Sequence, residues 1–300
     1  MVTRQVPRIS ELAALIRLKP LDFNTTRRRL AGALTIADLR ALAARRAPRS
    51  VFDYTDGAAE AEISLRRARR TFANLEFQPS ILQDVSSIDT TTSMLRKPAA
   101  LPFSFAPTGF TRMMHTEGES AVVRVAQRRD IPYALSTMGT TSIEDVAAAA
   151  PRARKWFQLY VWRDRSRAED FLARAKEQGY EALQLTVDVP VGGARLRDAR
   201  NGFALPPQLS ARTILDGALH PAWWLDLITT PTLEFASLDR WDGTVSQLLD
   251  SLFDPSMTMA DLEWLRSRWD GPLGVKGIQT LADAKRVSAA GADALVLSNH

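Results

Sequence analysis

Between residues 101 and 300, short apolar runs alternate with stretches whose apolar residues recur at helical spacing. The runs at 101–109, 133–138, 156–161, 182–187, 273–277 and 294–298 predict strands. The stretches at 116–129, 142–150, 166–178, 258–268 and 281–290 predict helices between them. Gly179 and Gly291 close two of the helical stretches as C-terminal caps, and Thr116 with Glu119 has the spacing of a capping box opening another. Strands separated by single helices imply a parallel sheet. No G-x-G-x-x-G or G-x-x-x-x-G-K-[ST] follows a strand, so the phosphate turns of open doubly wound sheets are missing and an α/β fold of the (β/α)8 TIM-barrel class is the better reading. About six of its eight βα units are read here. Six parallel strands alone leave two bare edges, which favours a shortened barrel over closure with a partner.

The segment 191–257 interrupts this alternation and is too long for a βα loop, which usually takes about 2–6 residues. It holds an apolar island at 220–228 and three of the seven tryptophans, Trp223, Trp224 and Trp241. Two readings of it stay open: a small core packed on the barrel rim, or a surface that touches a membrane. The chain is read as an N-terminal extension, 1–34, followed by one domain, 35–300, carrying that insertion. The extension scatters Arg4, Arg8, Arg17, Lys19 and Arg27 to Arg29 among isolated apolar residues, so no signal peptide is expected. The uncharged stretch 98–111 is broken by prolines and falls short of the roughly 20 apolar residues that span a bilayer.

Composition changes this picture mainly by exclusion. In 300 residues, 45% hydrophobic and 24% charged content is that of a globular protein, and a net charge of +5 is too modest to imply nucleic acid. The absence of cysteine excludes disulfides, zinc–thiolate sites, iron–sulfur clusters and thiol nucleophiles, and no metal site is expected.

In a barrel, chemistry sits at the C-terminal ends of the strands. Those ends carry Pro107 and Thr108, Ser136, Gln158 and Tyr160, Thr186 and Asp188, Lys276, and Ser298 to His300. Asp188 and His300 suit a carboxylate–imidazole general base. Arg195 suits a substrate carboxylate, and Lys276 suits developing negative charge. The set reads as proton abstraction beside an electron-accepting cofactor. His115 and His220 read as structural, and the arginine runs at 27–29 and 66–70 as solvated or ion-paired faces.

Seven ordered motifs, VFDYTDGA at 51–58, APTG at 106–109, LST at 135–137, WFQLY at 156–160, LTVDVP at 185–190, VKGI at 275–278 and LSNH at 297–300, resemble those of the FMN-dependent α-hydroxy-acid dehydrogenase/oxidase family. GARLRDA at 193–199, HPAWW at 220–224, FDPS at 253–256 and DLEW at 261–264 are similar to its bacterial respiratory L-lactate dehydrogenases of the actinobacterial type. The resemblance implies a TIM barrel that binds FMN and oxidises L-lactate or a similar L-2-hydroxy acid to the 2-oxo acid. It makes His300 and Asp188 catalytic. Tyr54, Tyr160 and Arg195 become substrate-binding, and Ala106, Pro107, Thr108, Ser136, Gln158, Thr186 and Lys276 cofactor-binding. Met138 falls where the family shapes its side-chain pocket. The family's further arginine and phosphate-holding glycines follow the last motif, so the ring half of the cofactor site is expected in a C-terminally shortened chain. Expected partners are a small 2-hydroxy acid, a quinone or cytochrome acceptor, a membrane surface touched peripherally and, for a longer chain, a homo-oligomer. The expected location is cytoplasmic, at the inner face of the cell membrane. The alternatives are an oxidase using oxygen and a non-catalytic remnant or assembly module.

Overall fold

The computed structural model describes residues 22–203, 210–238 and 254–300. Trp241 and Phe253 lie outside them. The described residues divide after Arg45 into two compact units. The first contains helix α1 (Thr25–Ala31) and nearly all of α2 (Ile36–Arg46). Asn24 caps α1 by accepting from the Arg27 amide, and the Arg27 guanidinium pairs with Asp22.

The second unit opens with α3 (Arg49–Asp56), α4 (Ile63–Ala73) and a hairpin of β1 (Thr92–Met94) and β2 (Lys97–Ala99). Helices α5 (Thr111–Met114) and α6 (Gly118–Arg129) follow. Then strands and helices alternate: β3 (Tyr133–Ser136), α7 (Ile143–Ala149), β4 (Lys155–Leu159), α8 (Arg165–Glu177) and β5 (Ala182–Thr186). The interruption carries α9 (Leu196–Asn201), α10 (Ala211–Ala218), α11 (Pro221–Ile228) and a 3-10 turn at Ala236–Leu238. The alternation resumes with α12 (Met259–Arg268), β6 (Leu273–Ile278), α13 (Leu281–Ala289) and β7 (Ala294–Leu297).

All five strands from β3 to β7 are parallel and stand in chain order. An open doubly wound sheet reverses its order at a switch point, whereas a barrel does not, so this sheet is barrel wall. The strand expected at 101–109 shrinks to one bridge, Phe105 with Tyr133, because Pro102 and Pro107 have no N–H to donate to a ladder.

Alternation along the strands separates two environments. Leu135, Phe157, Leu159, Leu183, Leu185, Leu273 and Val275 are fully buried on the helix side, each worth about 1.5–3 kcal/mol of burial. On the inner side Ser136, Gln158, Gln184 and Gly274 share one register level, with Thr186 and Lys276 on the next. Below them Ala134, Trp156 and Ala182 form a separate small cluster, closed by Met94 and Leu95 of the hairpin. Glu181 ties this plug in place, accepting from Arg154 Nε at 2.8 Å, Trp156 Nε1 at 3.0 Å and Lys97 Nζ at 2.7 Å.

The capping box expected at Thr116 does not form. Glu119 turns inward, becomes fully buried, and accepts from the Thr140 amide at 2.7 Å and from the Thr140 and Thr141 hydroxyls. It pins the loop after β3 instead of the start of α6. At the start of α12 the Asp261 carboxylate reaches back to accept from the Thr258 amide at 2.7 Å.

Candidate active site

The open end of the sheet gathers the chemistry. Asp188, two residues beyond β5, has a side chain only 4% exposed, and its Oδ1 lies 2.9 Å from His300 Nδ1. Lys276 Nζ stands 3.8 Å from Asp188 Oδ2 and donates to Ser298 Oγ at 3.2 Å, which also accepts from the His300 amide at 3.1 Å. A register shift in β6 between Lys276 and Ile278 presents the lysine here. Gly277, at φ +111°, makes the shift sterically possible: a Cβ there would come 2.5 Å from that of Asp188.

Burial works against ionisation of Asp188, but the His300 hydrogen bond and the Lys276 charge outweigh it and hold its carboxyl below the ordinary value. Burial lowers the Lys276 ammonium, opposed by Asp188. In the tautomer whose Nδ1–H donates to the Asp188 carboxylate, the His300 Nε2 carries the free lone pair.

Beside this group runs a buried polar row. Gln158 Oε1 accepts from Ser136 Oγ and the Thr137 amide, both at 3.2 Å, and Gln158 Nε2 donates to Thr186 Oγ1 at 2.9 Å. Ala106 and Thr108 are exposed at the neighbouring rim, with Pro107 half-buried. Gln184 Oε1 is buried with no hydrogen-bond partner among the described residues.

A third cluster contains Tyr54 and Arg195. The Arg195 guanidinium lies 4.7 Å from the Tyr54 ring centroid, donates to the Tyr54 carbonyl and pairs with Asp198. Phe110 and Phe203 flank the ring at 5.8 and 4.9 Å. The half-buried Tyr160 links the clusters: burial first, then Asp188 and Tyr54, push its phenol above the ordinary tyrosine value, so it stays a neutral hydrogen-bonding group.

Of the expected site residues, Asp188, His300 and Lys276 are brought together, Ser136, Gln158 and Thr186 form one hydrogen-bonded row, and Tyr54 packs on Arg195, which contacts Tyr54 and Asp198 rather than the Asp188–His300 pair. Sequence reasoning named Ser298 only as a strand-end residue and missed Asp198 and Gln184 as contributors. Ser298 stands two positions before His300 and Asp198 three after Arg195, short-range spacings that carry the signal; Gln184 gives none. The donor and acceptor row of Ser136, Gln158 and Thr186, ended by a cation at Lys276, suits the alternating nitrogens and carbonyls of a flavin ring, so these residues fit FMN. In the tryptophan island, Trp223 is turned inward, packs on the main core and donates to the Met113 carbonyl at 2.7 Å. That residue belongs to a rim core, and the exposed apolar side chains are Ile214, Leu215, Leu219, Leu225 and Ile228.

Residues 43–300 match the family described as FMN-dependent dehydrogenase. A putative L-lactate dehydrogenase of Mycobacterium tuberculosis is 54% identical over 299 residues, 100% of this chain and 72% of the relative. An L-lactate dehydrogenase of Caulobacter vibrioides is 40% identical over 270 residues, 88% of this chain and 70% of the relative. Among solved structures, (S)-mandelate dehydrogenase, a monotopic membrane protein, superposes with a TM-score of 0.84 at 36% identity, covering 89% of this chain and 72% of its own. Mandelate oxidase superposes with a TM-score of 0.74 at 34% identity, covering 89% of this chain and 69% of its own. The chain belongs to the FMN-dependent dehydrogenase family.

Proposed function

We propose that this protein oxidises L-lactate, or a similarly short L-2-hydroxy acid, to the 2-oxo acid and passes the electrons to a quinone or cytochrome. The observation that carries the reading is the 2.9 Å Asp188–His300 contact beside Lys276, in a chain 54% identical along its whole length to a lactate dehydrogenase relative. His300 Nε2 takes a proton from the substrate, and Asp188 steadies the imidazole and the charge it acquires. Tyr54, Tyr160 and Arg195 hold the substrate carboxylate and hydroxyl. Ser136, Gln158, Thr186 and Lys276 would hold the flavin ring, with Ala106, Pro107 and Thr108 beside it. Bound FMN supplies a two-electron acceptor. Lys276 supplies the positive charge that favours an electron-rich ring.

The acceptor is read as membrane-associated because the exposed apolar residues of α10 and α11 suit peripheral contact with a membrane. No helix of the described residues is long and apolar enough to cross one. A site at the inner face of the cell membrane goes with this reading. The test is anaerobic bleaching of the FMN-loaded protein. L-lactate should remove the oxidised-flavin absorbance, D-lactate should not, and a quinone analogue should restore it faster than oxygen. Bleaching by (S)-mandelate and not by L-lactate would move the substrate class to aryl hydroxy acids.

A further inference from the structure

The segment that follows α3 and the segment around Arg195 are joined at three places that the reaction itself does not require. The Glu60 amide donates to the Ala194 carbonyl at 2.7 Å. A Cβ on Gly193 would lie 3.1 Å from that of Ala59, so the two backbones run in close approach. Arg197 then forks across the acidic face opposite: Nη1 lies 3.2 Å from Asp53 Oδ1 and 3.1 Å from Asp56 Oδ2, and Nη2 lies 2.6 Å from Glu62 Oε2. Asn201, on the same short helix, donates to the other Asp53 oxygen at 2.7 Å. The arginine stem lies over Gly57, where a Cβ would come 3.2 Å from Arg197 Cδ.

The acidic turn is strained. Glu60 and Glu62 have φ of 49° and 57°, a left-handed backbone that non-glycine residues adopt at a cost and keep only when their surroundings enforce it. The enforcing contacts are those already named, with the Ala58 amide on Glu62 Oε1 at 3.2 Å. Three carboxylates gathered in one place repel each other unless a cation sits among them. Arg69 reaches Asp56 at 3.7 Å and Arg49 reaches Asp53 at 3.4 Å, but both approach from their own side of the fold, from α4 and α3. Among the described residues, Arg197 is the cation that ties these carboxylates to the segment carrying Arg195, and Asn201 adds a neutral hydrogen bond to Asp53.

We propose that Arg197 is a positioning residue: clamped by Asp53, Asp56 and Glu62, it holds Arg195 against Tyr54 and so sets the affinity of the site for the substrate carboxylate. The proposal rests on the substrate-binding role given above to Tyr54 and Arg195. It predicts a defect in binding rather than in proton transfer, because Arg197 touches neither Asp188 nor His300 among the described contacts. Lysine cannot divide its charge between two partners in a plane as guanidinium does, so Arg197→Lys should restore only part of the function.

The experiment compares wild type, Arg197→Ala and Arg197→Lys in the FMN-loaded full chain, by lactate kinetics, oxalate titration and hydrogen–deuterium exchange. Arg197→Ala should raise KM and the oxalate Kd about tenfold while kcat stays within about twofold, with Arg197→Lys between the two. Exchange should quicken at 53–62 and 194–201 and stay unchanged in β3 to β7. Unchanged KM and Kd, or a fall in kcat with faster exchange throughout the sheet, overturns the proposal. If wild type neither oxidises lactate nor binds oxalate, the functional reading fails, and local exchange alone then decides whether Arg197 is a latch.

Discussion

Asp188 and His300, 112 positions apart in the chain, meet at 2.9 Å because each follows the end of a strand in one parallel sheet, with β6 and its lysine between them. The carboxylate is buried and ionised, and the imidazole is the more exposed member at 42%. This is the arrangement of an oriented base open to a substrate.

Replacing either partner separates orientation from basicity. His300→Gln should keep FMN and lose roughly 10²–10⁴-fold in the rate of flavin reduction by lactate. Asp188→Asn should lose at least about 10²-fold, because the asparagine amide stabilises neither the tautomer nor the imidazolium. Single-turnover absorbance measures both; an unaffected rate in either variant removes that residue from the base.

The same contact has a pH signature. Because folding favours the ionised form of Asp188, its contribution to stability is complete above the carboxylate range of the unfolded chain and is lost as pH falls through its depressed folded value. Asp188→Asn should therefore lose less Tm than wild type between neutral pH and about pH 3. Parallel Tm curves for the two proteins would show that the pair does not couple to folding.

Glu119 supports the site from a distance. Glu119→Ala strands the buried Thr140 amide and two hydroxyls, and should cost about 2–3 kcal/mol in urea unfolding. Glu119→Gln keeps shape and part of the bonding and should cost less. A loss below about 0.5 kcal/mol in the alanine variant would mean that the loop after β3 is held by something else.

The insertion separates into an inner and an outer face. Leu225→Ser with Ile228→Ser should move the protein from vesicle pellet to supernatant without changing Tm, whereas Trp223→Ser should lower Tm and leave vesicle binding intact. Wild type that never sediments with vesicles would leave α10 and α11 without a membrane role.

The strand ends were legible in the sequence because barrel chemistry must sit there and because Thr186 and Asp188, or Gln158 and Tyr160, share a face by simple alternation. Local signals failed where a side chain had a better distant partner. Glu119 has capping-box spacing from Thr116, but a buried carboxylate meeting one amide and two hydroxyls is the stronger arrangement. The apolar run at 101–109 reads as a strand until its prolines are required to donate. Arg197 was invisible because its partners lie 135 to 144 positions away, and no periodicity spans that gap. The segment holding Trp223 reads first as a rim core and second as a membrane-touching surface, since a tryptophan's exposure depends on which way its helix is turned.

The order of the strands has a consequence for how the protein is made. Each strand from β4 to β7 pairs with the one synthesised just before it, so the sheet can grow by addition at one edge as the chain emerges, without waiting for a distant partner. The row from Ser136 through Gln158 to Thr186 is finished once β5 has been laid down. The imidazole that completes the base arrives only after β7. A nascent chain therefore acquires most of its binding surface before its reactivity.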